Sequence, residues 1–338
     1  MALKIAINGF GRIGRSVTRL IASRDDVEIV AINDMASIEM MLYLLQNDSV
    51  HGPFEAEASI LDATHLKIGS QTVAVFSHKN PNDLDFGACG AEVVFECSGL
   101  FLTTQSTQHH LEKGVKKVII SAPKQDDVTP TFVLGVNHHR YAGQAIISNA
   151  SCTTNCLGPI AKIIDEAYGI EKGLMTTIHA YTNGQAIMDS AHGTDMRRSR
   201  AAAVNMIPTT TGAAKAISLV LPSLEGKLHG QSVRVPTPDV SMVDLTVLVR
   251  KNVTKEEIVA RCKEHATGDM NGILEVDERY RVSQDFMGSS CSAIVAADLV
   301  QVIDGNLVKI MAWYDNEWGY SNRLIEMALF ITNFKEQE

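Results

Sequence analysis

The chain has 338 residues, 45% of them hydrophobic and 20% charged, which predicts a globular protein of about two domains. Its 30 Lys and Arg residues against 39 Asp and Glu residues give a net charge of −9, which argues against general affinity for nucleic acids or membrane surfaces. No apolar run approaches the roughly 20 residues that span a bilayer, and the N-terminus lacks a signal-peptide layout. We therefore expect a cytoplasmic protein whose six cysteines are reduced thiols.

The first half of the chain alternates predicted strands and helices. Strands are predicted at 4–7, 28–32, 93–97, 118–120 and 145–148. Helices are predicted after the glycine run 9–14 to about residue 23, at 38–45 and at 104–113. The run 93–97 is apolar except for Glu96, which is typical of a parallel sheet covered on both faces. The alternation predicts an α/β fold with an N-terminal Rossmann-type doubly wound sheet.

The second half has a different pattern. It predicts helices at 152–168, 210–221 and 318–333, and another that starts at the capping box formed by Thr254 and Glu257. Strands are predicted at 174–179, 231–235, 240–250, 293–297 and 307–313. These elements predict an α+β catalytic domain with a mostly antiparallel sheet.

Three glycines form a dinucleotide-binding fingerprint. Gly9, Gly11 and Gly14 follow a predicted strand and open a helix, and Asp34 ends the next strand 20 residues after Gly14 (34 − 14 = 20). Such glycines allow a tight turn, close approach of a pyrophosphate, and close packing of helix on strand, while the helix N-terminus attracts the phosphates. Asp34 would bind both adenosine ribose hydroxyls and repel a 2′-phosphate. The alternative is a glycine-rich turn that binds nothing; the full context favours NAD.

Cys152 opens a predicted helix and is followed by His179 on a later strand. Free N–H groups and the positive end of the helix dipole should lower the pKa of this thiol. If His179 reaches the thiol, the two form an activated nucleophile and its base. The alternative is an inert buried thiol beneath a helix that Ser151 caps.

Two histidine pairs, His109-His110 and His138-His139, have no nearby cysteine or carboxylate spacing typical of a metal site. We interpret both pairs as surface residues and predict no metal.

Six runs, in order along nearly the whole chain, resemble the phosphorylating glyceraldehyde-3-phosphate dehydrogenase family. They are Ile7–Arg15, Ser151–Cys156, His179–Asn183, Thr209–Lys215, Arg234–Pro238 and Trp313–Tyr320. The resemblance implies oxidation of D-glyceraldehyde 3-phosphate to 1,3-bisphosphoglycerate with NAD reduction, through a thioester on Cys152, in a homotetramer. It also implies an NAD-binding domain over residues 1–150 with 317–338, and a catalytic and substrate domain over 151–316.

The resemblance also implies individual roles. Cys152 is the expected nucleophile and His179 the expected base. The cofactor-binding residues are Gly9, Gly11, Arg12, Ile13, Gly14, Asp34, Lys79, Ser121 and Asn316, the last toward the nicotinamide carboxamide. The substrate phosphate is assigned to Thr182 and Arg234, inorganic phosphate to Ser151, Thr153, Thr211 and Gly212, and Arg198 to both anions. Helix capping is the alternative for the hydroxyls, and a solvated basic loop for Arg198.

Three alternatives stay open. Many NAD-using members have Leu-Pro in the loop where this chain has the residues 189–193, Asp-Ser-Ala-His-Gly, with one extra residue, which leaves use of both NAD and NADP open. An erythrose-4-phosphate dehydrogenase shares the Cys–His pair but typically lacks the pattern of Thr182, Thr211 and Gly212. A secondary non-catalytic role, RNA-associated or as a surface adhesin, is the third, although the negative charge gives no broad basic footprint.

Overall fold

The computed structural model describes residues 2–193 and 195–334, and the chain divides into two compact units. The first unit comprises the residues up to Phe132, Arg140–Ala150, and the residues from Ser321 onward. The second comprises Val133–His139 and Ser151–Tyr320. The functional assignment of the ranges 1–150 with 317–338 and 151–316 stays a prediction, and its residues 1 and 335–338 lie outside the described residues.

Ten strands belong to the first unit. They are β1 (Leu3–Asn8), β2 (Val27–Asn33), β3 (Asn47–Asp48), β4 (Gly52–Pro53), β5 (Ala58–Asp62), β6 (His65–Ile68), β7 (Gln71–Phe76), β8 (Val93–Glu96), β9 (Lys117–Ile120) and β10 (Ile146–Ser148). Strands β3 and β4 pair with each other, and the rest form one sheet in the order β10-β9-β8-β1-β2-β7-β6-β5.

The core of this sheet is parallel, from β10 to β7, and β5 and β6 extend it as an antiparallel edge. Its helices are α1 (Arg12–Ile21), α2 (Ile38–Gln46), α3 (Thr104–Thr107) and α4 (His109–Glu112). The predicted doubly wound sheet is confirmed. The strand order reverses at β1, and ligands of such sheets bind at the carboxyl ends of the strands near that point. The single helix predicted at 104–113 is two short helices.

The interpretation of His109 and His110 as surface residues is wrong. Both are buried, and the His110 ring stacks on Phe86 with the centroids 5.4 Å apart. Burial, together with the charges of His109 and Lys113, lowers the pKa of His110 to about 3. Imidazole packs like a small aromatic ring when it is neutral, so the sequence alone does not distinguish a buried histidine from an exposed one. In the second pair, His139 is exposed and His138 half-buried.

The second unit holds the remaining elements. Its helices are α5 (Cys152–Tyr168), α6 (Ala213–Val220) and α7 (Lys255–Thr267), and α8 (Trp318–Asn333) begins in it. Its strands are β11 (Ile170–Ala180), β12 (Ile207–Thr210), β13 (Leu228–Val235), β14 (Ser241–Val249), β15 (Leu274–Asp277), β16 (Ala293–Ala296), β17 (Gln301–Ile303) and β18 (Leu307–Tyr314).

These strands form a mixed sheet in the order β12-β13-β11-β14-β18-β16-β15, with β17 also paired to β18. The pairs β11–β13 and β15–β16 are parallel and the others antiparallel, so the mostly antiparallel sheet is confirmed. The predicted capping box of Thr254 and Glu257 is present at α7. Among the described residues, no helix is long and apolar enough to cross a bilayer.

Candidate active site

The glycine turn between β1 and α1 has room for a ligand on one side only. Gly9 has φ +99°, and a Cβ there would lie 2.6 Å from the Cα of Ser98. A Cβ on Gly14 would lie 2.3 Å from the carbonyl oxygen of Gly9. Gly11 differs, because no atom of the described residues lies within 4 Å of the space its Cβ would take, and none of their side chains caps the helix there. This open space at an uncapped helix N-terminus fits the pyrophosphate of a dinucleotide.

Asp34 follows β2, beside the glycine turn. Its carboxylate accepts hydrogen bonds from the backbone N–H groups of Phe10, at 2.7 Å, and Ala36, at 2.9 Å. These bonds fix the orientation of the carboxylate and use one lone pair on each oxygen. The remaining lone pairs are available to ribose hydroxyls.

Arg12 and Ile13, the next predicted cofactor residues, occupy the first turn of α1. The Arg12 guanidinium donates to Asp48, which also accepts from the N–H groups of Val50 and His51. Burial raises the pKa of Asp48, but these hydrogen bonds outweigh it and bring the pKa to about 2. Asp48 therefore stays ionised and holds the Arg12 side chain.

Lys79 and Ser121 follow the carboxyl ends of β7 and β9, where the sheet order predicts a ligand edge. Lys79 is exposed and Ser121 half-buried. All predicted cofactor residues except Asn316 therefore lie in the first unit at this edge.

Glu96, at the end of β8, supports the glycine turn, and the sequence analysis missed it. Its carboxylate accepts from Asn8 Nδ2 at 2.6 Å and from the backbone N–H of Ser98 at 2.8 Å. Burial raises the pKa of Glu96 to about 7, against the lowering effect of these hydrogen bonds. Since Ser98 packs directly against Gly9, Glu96 ties together the strand ends that shape the turn.

In the second unit, Cys152 and His179 meet as predicted from the family pattern. Cys152 is the first residue of α5, whose N-cap Ser151 accepts from the backbone N–H of Thr154. The Sγ of Cys152 lies 3.6 Å from the Nε2 of His179. The expected lowering of the thiol pKa is wrong as a net effect: burial raises it, although Arg234 and hydrogen bonds from Thr153 act in the opposite direction.

The other nitrogen of His179 has two neighbours. Nδ1 lies 2.7 Å from the carbonyl oxygen of Ala180 and 2.8 Å from Nη1 of Arg234. A carbonyl only accepts and a guanidinium only donates, so Nδ1 satisfies one of them at a time. With its proton on the Ala180 carbonyl, Nε2 presents a lone pair to the thiol. Burial and the charge of Arg234 lower the pKa of His179 to about 3, so the imidazole is neutral.

Sheet register places Arg234 beside His179, because the two residues are directly paired between the parallel strands β11 and β13. No carboxylate among the described residues pairs with Arg234, and its Nε has no hydrogen-bond partner there. Burial lowers the pKa of the guanidinium, and the charge of Arg198 lowers it further. A half-buried cation that has no carboxylate partner among the described residues and lies near a second arginine is suited to bind an anion.

Arg198 is held by its own loop. Its Nε donates to Thr209 Oγ1 at 2.9 Å and lies 3.3 Å from Asp195. The hydroxyl of Thr209 in turn donates to Asp195 at 2.8 Å. Asp195 and Thr209 had no assigned role in the sequence analysis, and they orient this arginine.

The remaining predicted phosphate residues make local hydrogen bonds in the described part of the chain. The carbonyl of exposed Thr182 accepts from the N–H of Gln185. The hydroxyl of Thr211 accepts from the N–H of Ala213 where α6 begins, with Gly212 as its N-cap. These hydrogen bonds do not join Thr182, Thr211 or Gly212 to Cys152, so their assignment stays a prediction.

Tyr314 connects the elements that carry the pair. Its hydroxyl lies 2.9 Å from Thr153 Oγ1, on α5, and 2.8 Å from Thr177 Oγ1, on β11. Its ring meets the His179 ring edge-on at 5.9 Å. Tyr314 lies in a run that carries the family resemblance, but nothing local in the sequence marks this bridge.

Comparison with known proteins agrees with this geometry. Residues 3–104 match the profile described as the glyceraldehyde 3-phosphate dehydrogenase, NAD binding domain, and residues 151–316 match that of the C-terminal domain. The chain is 50% identical over 334 residues to glyceraldehyde-3-phosphate dehydrogenase 1 of Bacillus subtilis, with 98% of each chain covered. It is 46% identical over 332 residues to glyceraldehyde-3-phosphate dehydrogenase A of Escherichia coli, covering 98% of this chain and 100% of that protein.

Proposed function

Because the chain belongs to the glyceraldehyde-3-phosphate dehydrogenase family, whose members are NAD-dependent oxidoreductases, we propose that it oxidises D-glyceraldehyde 3-phosphate to 1,3-bisphosphoglycerate. The observation that carries the proposal is the separation of 3.6 Å between the Cys152 thiol and Nε2 of His179, beside the guanidinium of Arg234, which has no carboxylate partner among the described residues. Together they supply a nucleophile, a base and an anion site.

The first step joins the thiol to the aldehyde. His179 keeps Nδ1–H on the Ala180 carbonyl and accepts the thiol proton at Nε2, as the sulfur of Cys152 attacks the aldehyde carbon. A substrate phosphate bound at Arg234 offsets the charge that depresses the pKa of His179, so substrate binding makes the base stronger. The imidazolium then returns this proton to the oxyanion that the attack creates, which gives a hemithioacetal on Cys152 and restores the neutral base.

The second step is oxidation. NAD, when bound, accepts the hydride that leaves the hemithioacetal carbon. His179 accepts the proton of the hemithioacetal hydroxyl, which leaves a thioester on Cys152. Gly9, Gly11, Arg12, Ile13, Gly14, Asp34, Lys79, Ser121 and Asn316 hold the dinucleotide in this proposal.

The third step consumes inorganic phosphate. A phosphate oxygen attacks the thioester carbon, the C–S bond breaks, and the thiolate of Cys152 recovers a proton from His179. Ser151, Thr153, Arg198, Thr211 and Gly212 bind the attacking anion, and Thr182 and Arg234 bind the substrate phosphate. Two half-buried arginines near one another support a site for two anions.

A steady-state assay tests the reaction. NADH formation is measured with glyceraldehyde 3-phosphate and with erythrose 4-phosphate, each with and without phosphate. We expect faster turnover of glyceraldehyde 3-phosphate, with continued turnover that depends on phosphate. Phosphate-independent oxidation of erythrose 4-phosphate at an equal or higher rate would overturn the proposal.

Parallel assays with NAD and NADP test the choice of cofactor. The fixed carboxylate of Asp34 repels a 2′-phosphate, so at equal concentrations we expect faster turnover with NAD. Asp34→Ala should lower the ratio of the turnover rate with NAD to that with NADP about tenfold. The control Asp62→Ala removes an exposed carboxylate that caps a turn on β5, and it should leave the ratio unchanged.

A homotetramer is also proposed. Its support is a run of exposed apolar side chains between residues 187 and 206: Ile187, Met188, Met196, Val204 and Met206, each at least 74% exposed. Apolar residues gathered in this way are typical of a surface that a partner covers. Light scattering after size exclusion should give four times the mass of 36.8 kDa, and a monomer contradicts the proposal.

The free state of all six cysteines supports a cytoplasmic location.

A further inference from the structure

Ser241, the first residue of β14, connects the strand of His179 with Asn316. Its Oγ accepts from the backbone N–H of Ala180 at 3.0 Å and donates to Oδ1 of Asn316 at 2.6 Å. We propose that Ser241 is a positioning residue that fixes the amide of Asn316, so that Nδ2 donates to the carbonyl of the nicotinamide carboxamide. The inference rests on the proposed function, which assigns Asn316 to that group.

The hydroxyl of Ser241 determines which end of the amide it meets. It has a single proton, and it already accepts from Ala180, so it needs an acceptor on its other side. Oδ1 of Asn316 is such an acceptor. A flipped amide would turn Nδ2 toward Oγ, so that the serine would receive two donors and its own proton would lose its acceptor. Because Ser241 is only 1% exposed, water does not replace that acceptor.

The backbone on both sides of Asn316 is fixed independently. One carboxylate oxygen of Asp315 accepts from the N–H groups of Glu317 and Trp318, at 2.9 and 2.6 Å. The other accepts from Gly288 at 2.8 Å. The main freedom left to Asn316 is rotation of its own side chain, which is the motion that the Ser241 hydrogen bond opposes.

The residue before Ser241 has a strained backbone. Val240 has φ 62°, in the left-handed region that a β-branched residue rarely adopts. It is buried in a cluster with Phe286 and Ile294, with Trp313 packed against them. Strain of this kind persists where the surrounding packing compensates for it, and it accumulates at functional sites. Here it sets the direction in which the chain enters β14 and presents the Ser241 hydroxyl.

Calorimetric binding of two ligands tests the proposal. NAD carries the nicotinamide, whereas ADP-ribose lacks it. Loss of one neutral hydrogen bond should raise the Kd for NAD about fivefold in Ser241→Ala and leave that for ADP-ribose within about twofold. Asn316→Ala should show the same split, and Ser241→Thr, which keeps the hydroxyl, should restore NAD binding. The control Ser232→Ala removes a buried hydroxyl that has no partner among the described residues, and should change neither Kd.

The outcomes separate the inference from its premise. Equal weakening of both ligands in Ser241→Ala indicates a structural role and overturns the inference. An unchanged Kd for NAD in Ser241→Ala also overturns the inference if Asn316→Ala binds NAD more weakly. Unchanged NAD binding in Asn316→Ala instead overturns the role assigned to Asn316, and with it this inference.

A second measurement uses the unaltered protein. The 3-acetylpyridine analogue of NAD keeps the carbonyl oxygen and lacks the amide NH2 group, whereas the thionicotinamide analogue replaces that oxygen with sulfur, a weaker acceptor. If Nδ2 of Asn316 donates to the carbonyl, the acetylpyridine analogue should bind within about threefold of NAD and the thio analogue more weakly. The reverse order overturns the proposed orientation.

Discussion

The glycine turn of the first unit and the thiol site of the second unit are encoded over different ranges of the chain. The turn comes from six consecutive residues, Gly9 to Gly14, whose conformations follow from the absence of a Cβ. The thiol site joins Cys152 to His179 across 27 residues and His179 to Arg234 across 55. The turn therefore depends on local sterics and the thiol site on sheet register. Substitutions in the two regions should consequently differ in their effects on stability, cofactor binding and catalysis.

The largest effect is expected at the thiol site, from Cys152→Ser. A serine hydroxyl is a far weaker nucleophile than a thiol, so kcat should fall about 10⁴-fold or more. The Kd for NAD should stay within about twofold, because the dinucleotide turn lies in the other unit. Stopped-flow NADH formation and calorimetry measure the two quantities.

The matched control is Cys89→Ser, which replaces a half-buried thiol of the first unit. This variant should keep full activity. Substantial turnover in Cys152→Ser would refute the nucleophile assignment and remove the contrast between the units.

The second effect comes from the partner strand of the same site. Arg234→Leu should raise the KM for glyceraldehyde 3-phosphate about 100-fold, because a charge-assisted anion contact is lost. The KM for NAD should change less than about threefold. Since Arg234 lowers the pKa of the Cys152 thiol, its removal should also shift iodoacetamide alkylation to higher pH.

Arg279→Leu, at a side chain that is 73% exposed, provides the comparison and should change neither constant. If Arg234→Leu raises both KM values equally, Arg234 has a structural role rather than a substrate role.

The third prediction separates two glycines of the turn. Gly9→Ala should lower the free energy of unfolding by about 2–4 kcal/mol, because its Cβ would lie 2.6 Å from Ser98 backbone atoms at φ +99°. The Cβ of Gly11→Ala meets no atom of residues 2–193 or 195–334 within 4 Å, so the free energy of unfolding should change by less than about 1 kcal/mol. NAD binding should weaken in both variants, about tenfold or more in Gly11→Ala.

Urea unfolding and calorimetry distinguish the two. Equal loss of stability in both variants would show that the turn is a purely structural feature, with no space reserved for a ligand at Gly11.

The smallest effect concerns pH. The pKa of His110, about 3 in the folded protein, lies below its unfolded value of about 6.5. The unfolded state therefore binds more protons, so this contribution to stability is present above pH 6.5 and is lost as the pH falls toward 3. Between pH 6 and 4, the wild type should lose stability faster than His110→Leu, by up to about 1 kcal/mol per pH unit.

Urea unfolding at several pH values measures this difference. The exposed His139→Leu should follow the wild type, and parallel curves for wild type and His110→Leu would contradict the burial of a neutral imidazole.

Long periodic elements could be predicted closely, and short or polar ones could not. Helices α5 and α8 have the predicted bounds, because each has caps or a continuous apolar pattern over four turns. Strands β5 to β7 were missed, since β5 is mostly exposed and has no apolar alternation. The predicted helix at 210–221 is the shorter α6, and Thr210 instead ends strand β12, which was not predicted and pairs with β13.

The fold class, the glycine turn with Asp34, and the family to which the thiol site belongs could be predicted from the amino-acid sequence, because these depend on periodicity, backbone sterics and motif order. The state of the thiol site depends instead on packing between elements that lie far apart in the chain. Burial raises the pKa of Cys152 against its position at a helix start, and register places Arg234 on His179. The bridging hydrogen bonds of Tyr314 and Ser241 likewise could not be predicted from the sequence. Burial and hydrogen bonding in such a site depend on residues that lie 61 to 161 positions apart, and local sequence carries no signal for contacts at that range.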